Sequence, residues 1–156
     1  LSATEAPPSP AAPTDDGTYD TVAVALAVAE ACWDVKARNV RALDVRGIVP
    51  YADFLVVCHG TSDRHAEAIA GHVVDDLRPT KVRPLGIEGV HGNATREQGA
   101  WILVDLGDVI LHVFGHPDIR QQYNIESIFR DVPRLTLDAP DELEETTTPP
   151  PAGPGA

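Results

Sequence analysis

Residues 101–114 read WILVDLGDVILHVF, and the pairing of this stretch decides the fold. Gly107-Asp108 has the chemistry of a two-residue hairpin turn and is flanked by apolar runs long enough for two strands. Leu106 then opposes Val109. Counting outward pairs Asp105 with Ile110, Val104 with Leu111, Leu103 with His112, Ile102 with Val113 and Trp101 with Phe114, and successive pairs alternate faces. One face is aliphatic throughout: Ile102, Val104, Leu106, Val109, Leu111 and Val113. The other carries Trp101, Leu103, Asp105, Ile110, His112 and Phe114, and so adds an acid and an imidazole that a pure core surface does not need.

Working outward, Asp20 or Thr21 can cap a helix running to about Ala37, with Val22, Leu26, Ala29 and Trp33 expected on one face. VRALDVR (residues 40–46) reads as a first strand. FLVVCHG (residues 54–60) is apolar on both faces and is expected in the middle of a sheet. A second helix follows, capped by Thr61 or Ser62, with Asp63 near its positive end and a stripe of Ala66, Ile69, Ala70, Val73 and Leu77. KVRPLGIEG (residues 81–89) holds Pro84 and suits an edge strand. Beyond the hairpin, Pro117 opens a short helix and Tyr123 to Phe129 a second. This order predicts a single α/β domain with a mixed sheet and flanking helices. The folded unit is expected over residues 19–135, with disordered acidic, proline-rich tails at 1–18 and 136–156.

The formal net charge of the 156 residues is −12, but nine acids lie in residues 1–20 and 136–156, which hold no Lys or Arg. The middle is left at −3. With no basic excess to displace counterions, direct binding to nucleic-acid phosphates is not expected. The tails suit a basic protein partner, or serve solubility alone. No run of 18 apolar residues is present, so a spanning helix is not expected, and the first residues lack the pattern of a secretory signal. A cytoplasmic location follows as the expectation. Cys32 and Cys58 lie in apolar segments without C-x-x-C spacing and are read as buried free thiols.

His65 and His72 are seven apart, too far for a metal pair on adjacent helical turns, and the histidines are read as exposed or hydrogen-bonded, with no metal and no cofactor. The turn HGTSDRH (residues 59–65) is similar to the Gly-Ser element of nucleotidyltransferases, and a Gly-Ser turn entering a helix can hold phosphate. Phosphoryl transfer there needs two carboxylates for metal ions, and Asp63 stands alone. Ser62 lacks a G-x-S-x-G surround, and Cys58 sits in an apolar strand that leaves a thiol inert. No catalytic residue is expected. Trp101 with its neighbours Leu103, Asp105, His112 and Phe114 is either core or an interface; at an interface one buried Trp supplies about 2 to 4 kcal/mol.

Taken together, LDVRGIVPYADFLVVCHGTSDRHAEAIAGHV, the IEG of residues 87–89, WILVDLGDVILHVF and RQQYNIESIF resemble the ribosomal silencing factor, or Iojap-related, family. The ordered series Asp53, Gly60, Ser62, Glu88, Gly89, Trp101, Asp105, Gly107, Asp108, His112, Tyr123 and Glu126 carries that resemblance from about Val22 to Asp131. It departs in a longer loop after Gly89, in Ala100 where an acid is often found, and in SIFRD at the end, where Phe129 fills a pocket usually holding a larger residue. The resemblance implies a nucleotidyltransferase-like fold without catalysis. It further implies binding to the large ribosomal subunit through ribosomal protein fourteen, a block on subunit joining, repression of translation, and dimer formation. Under it, Trp101, Leu103, Asp105, Asp108, His112 and Phe114 are expected to meet the partner. Two alternatives stand beside it: an assembly factor for the large subunit using the same contact, and a divergent nucleotidyltransferase.

Overall fold

The computed structural model describes residues 20–80, 82–89 and 99–145. The elements run α1 (Thr21–Asp34), β1 (Arg38–Asp44), β2 (Phe54–His59), α2 (Asp63–Leu77), β3 (Gly86–Glu88), β4 (Trp101–Asp105), β5 (Val109–Phe114), α3 (Pro117–Tyr123) and α4 (Ile125–Ile128), with 3-10 turns at Arg78–Thr80 and Asp141–Leu143. The five strands form one sheet in the order β1-β2-β5-β4-β3. Among the described strands, only the β2–β5 pair is parallel. Both its strands are buried along their whole length, as parallel strands covered on two faces must be.

The hairpin closes in the register that its turn dictates. All five pairs from Trp101–Phe114 to Asp105–Ile110 form, and Leu106 N–H donates to Val109 C=O at 2.9 Å. The aliphatic face of β4 and β5 packs under α1 and α2 in the main core. Helix α2 buries the expected stripe, and Ser62 is its cap, its hydroxyl accepting from His65 N–H at 3.0 Å.

Helix α1 is rotated from its expected face. Leu26 is 37% exposed, whereas Ala25, Val28, Ala29, Ala31 and Cys32 are sealed in the core. In TVAVALAVAEACWD almost every position is apolar, so periodicity selects no side, and the alanine-rich side wins because small residues let the helix lie close to the sheet and α2.

The C-terminal stretch corrects a second expectation. Residues 136–145 were expected within a disordered tail, yet the chain runs up the outer edge of β1. Asp44 N–H donates to Pro133 C=O at 2.8 Å and Leu135 N–H to Ala42 C=O at 3.0 Å. Farther along, Leu143 is 5% exposed and Glu145 is clamped to Asn39. The expected tail over residues 1–18, and the remainder of the other from 146, lie outside the described residues, as do residues 90–98 of the longer loop. At the opposite side of the sheet, β3 is exposed along its length.

Candidate protein-docking face

On the sheet face away from α1 and α2, helices α3 and α4 cover one end, and the mixed side of the hairpin emerges beside them. Phe114 is sealed with Val57, Ile119 and Ile125. Trp101 lies half-buried on top, its ring centroid 5.2 Å from Phe114 and 4.5 Å from Tyr123, which is 39% exposed. Beside Trp101 on this face come half-exposed Leu103 and Asp105, and the register of β3 adds exposed Glu88 opposite Leu103. The result is a short apolar strip with an acidic margin.

The two polar residues that set this face apart have identifiable work. Trp101 Nε1–H donates to His112 Nδ1 at 3.1 Å, so Nδ1 is the acceptor and the imidazole proton sits on Nε2. Burial pushes the His112 pKa down to about 4, which keeps that acceptor available at neutral pH. His112 therefore fixes the orientation of the indole. Asp105 accepts from Gly107 N–H at 2.9 Å and closes the turn, where Gly107 takes φ +93°.

Three residues expected to meet the partner lie outside the exposed strip. Phe114 is fully buried and His112 is 8% exposed, so both support the strip from beneath. Asp108 is exposed, but at the far end of the hairpin from Trp101, where it lines a shallow cleft with Thr21, Arg83 and Leu85. At about 3.4 Å per residue the strand separates it from the indole by well over 10 Å.

Most of the family-pattern residues also hold structure. Asp53 accepts from Thr21 Oγ1 at 2.9 Å and ties the start of α1 to β2. A Cβ at Gly60 would meet His65 Nδ1 at 2.8 Å. Gly89 has φ +87° and lies against the carbonyl of Trp101, so only glycine fits there. Glu126 pairs with Arg120 Nε at 2.7 Å, and Tyr123 walls the indole.

Two backbone donors of the Gly60-Thr61-Ser62 turn are spent within the fold. Gly60 N–H donates to Phe114 C=O at 2.8 Å. Thr61 N–H donates to His65 Nδ1 at 2.9 Å, and His65 Nε2 donates to Val35 C=O at 2.6 Å. Asp63 accepts from Ala100 N–H at 2.8 Å and has no second carboxylate described as its partner. Both cysteines are buried and unpaired in a disulfide, and the Cys58 thiol, together with burial, raises the Cys32 pKa. Elsewhere, Asp34, His72 and Asp76 bring ligand atoms within 4.8 Å of one another at the exposed ends of α1 and α2, and His72 Nε2 contacts Asp34 at 3.2 Å.

One cluster escaped the sequence reading. His59, Arg120, Asn39, Arg38 and Arg41 converge near the start of β1, drawn together from three elements, and receive the acidic segment Asp141–Glu145. The only sequence hint was a histidine at the end of a fully apolar strand.

Comparisons with known proteins follow the same lines. A family model described as "Ribosomal silencing factor during starvation" matches residues 18–153. The ribosomal silencing factor RsfS of Bacillus subtilis is 40% identical over 110 residues, covering 70% of this chain and 87% of that protein. A mouse protein named "Mitochondrial assembly of ribosomal large subunit protein 1" is 27% identical over 93 residues, 60% of this chain and 39% of its own length. A crystal structure from Chromobacterium violaceum superposes with a TM-score of 0.64 at 26% identity, covering 78% of this chain and 94% of that one.

Proposed function

Since the chain belongs to the ribosomal silencing factor family, we propose that it docks on the large ribosomal subunit through ribosomal protein fourteen and blocks joining of the small subunit, repressing translation. The observation that carries this reading is the Trp101–Leu103 strip. An indole locked by a buried histidine and walled by Tyr123 is a rigid apolar anchor, and such anchors dominate protein interfaces. Glu88 and Asp105 at its margin complement a basic partner. Occlusion is steric: a domain sitting on the joining face competes with the small subunit in proportion to its concentration over its dissociation constant. No catalytic group takes part in this reading, with which the internal pairing of the Gly60 and Thr61 N–H groups agrees. In this reading the protein acts in the cytoplasm, uses no cofactor and contacts protein rather than a nucleic-acid sequence; dimer formation belongs to the same proposal.

The name of the mouse relative favours a second reading, in which the same contact stabilises a maturing large subunit. Sedimentation separates the two. Purified subunits are mixed at a magnesium level that permits joining, with wild-type protein, with Leu103→Glu or with Glu88→Lys. Silencing predicts co-migration with the large subunit and loss of joined ribosomes, both reversed by the variants. If the wild type stays at the top of the gradient and joining is unaffected, silencing of mature subunits is refuted; precursor particles on depletion then support assembly.

A further inference from the structure

The outer edge of β1 is filled by a peptide that happens to belong to the same chain, and its contacts are those of a recognition site. Asn39 takes both backbone groups of Glu145: its Oδ1 accepts from Glu145 N–H at 2.6 Å and its Nδ2 donates to Glu145 C=O at 3.2 Å. Arg38 Nη1 donates to Glu142 C=O at 3.1 Å. Three side chains are then read in turn. Leu143 is buried, Glu144 meets Arg41 Nη2 at 2.9 Å, and the Glu145 carboxylate accepts from His59 Nε2.

The seat is prepared from within the fold. Arg120 Nη1 donates to His59 Nδ1 at 3.0 Å, and a guanidinium can only donate, so the imidazole is neutral with its proton on Nε2, facing Glu145. Glu126 holds Arg120 in place from the other side. Asn39 adopts φ +47°, a left-handed conformation for a non-glycine residue, and the pairing of β1 with β2 is interrupted between Arg38 and Arg41. The buried Nε of Arg38 has no partner among the described residues, which leaves one donor that the segment in place does not use.

We propose that this edge of β1, from Arg38 to Arg41 with His59 and Arg120, is a binding site for extended acidic peptides of the pattern leucine-acid-acid, which Leu143-Glu144-Glu145 occupies in cis. Backbone clamping supplies docking by strand-like addition, and the cations select acids over neutral residues. A partner peptide must displace the resident segment, and one that brings a further carboxylate to Arg38 Nε would out-compete it. This site is separate from the Trp101 strip and does not rest on the ribosomal reading.

The test uses the full chain carrying Leu143→Ser, Glu144→Gln and Glu145→Gln, to free the edge, and a fluorescent peptide of sequence DAPDELEETT, the chain's own residues 138–147. Anisotropy is expected to show binding to the variant at least tenfold tighter than to the wild type, weakened by salt, and weakened at least tenfold when Arg41→Ala is added or when glutamines replace the glutamates of the peptide. No binding to the variant, equal binding to wild type and variant, or tighter binding of a single-stranded RNA than of the peptide overturns the assignment. If circular dichroism shows that the triple variant has lost its fold, Glu144→Gln with Glu145→Gln, which retains Leu143, carries the same comparison.

Discussion

Acidification should destabilise this domain through His112 in particular. Its folded pKa lies at about 4 against an ordinary 6.5, and the cause is burial. Above pH 6.5 the imidazole is neutral in both folded and unfolded chains and contributes no pH dependence. As the pH falls toward 4, the unfolded chain takes up a proton that the folded chain refuses, so stability drops by about 1.4 kcal/mol per pH unit. Across the window the loss is on the order of 3 kcal/mol, a large share of the roughly 5 to 15 kcal/mol typical of a small domain. Below the folded pKa the loss from this residue stops growing. Urea unfolding of the wild type and of His112→Asn, measured at intervals from pH 7.5 to 4, isolates the residue. Asparagine can still accept from the indole but does not titrate, and His59, whose pKa burial also lowers, acts in both proteins and cancels. The two stability curves should converge by on the order of 3 kcal/mol toward pH 4. Parallel curves would refute the claim that a buried neutral His112 supports the indole.

Ser62→Ala removes the α2 cap and should lower stability by about 1 kcal/mol in denaturant melts, while Ser62→Asp should retain it. Gly115→Ala drives a methyl group into the Asp63 side chain that bonds Ala100 N–H, and should cost about 1 to 3 kcal/mol or shift the backbone of α2, visible in the same melts. Neither thiol should react with an aromatic disulfide reagent until the protein unfolds, because both are buried; a fast native reaction at either would contradict the packing. Glu88→Lys, on an exposed strand, should change stability by less than about 0.5 kcal/mol yet weaken ribosome association, and an unchanged association would remove Glu88 from the docking margin.

What could be read from the sequence was local. The hairpin register follows from a two-residue turn and strict alternation, so each pair was countable from Gly107-Asp108. The α2 stripe was readable because polar residues punctuate it. Helix α1 has almost no polar residues to fix its phase, and its face was decided by what fits against the sheet. The candidate site was half legible: alternation put Trp101, His112 and Phe114 on one face, but burial on that face depends on α3 and α4, whose packing is a tertiary event. Asp108 is exposed at the turn end of the hairpin, and its distance from Trp101 follows from the length of the strand between them. The clamp on Glu145 was invisible, since Asn39 and Glu145 are 106 residues apart and acid-rich, proline-rich composition ordinarily signals disorder.

That last separation carries a consequence for the order in which the molecule is made. The hairpin can form as soon as residues 101–114 exist, and its contacts are close in sequence. The edge of β1 is different: it precedes β2, pairs with it, and then waits for residues 133–145 before its outer side is covered. During that interval a nascent strand edge stands open to any neighbouring extended segment, including that of another growing chain. The cover carries Asp141, Glu142, Glu144 and Glu145, like charges that repel the same segment of a neighbouring chain, while Arg41 of its own chain meets Glu144.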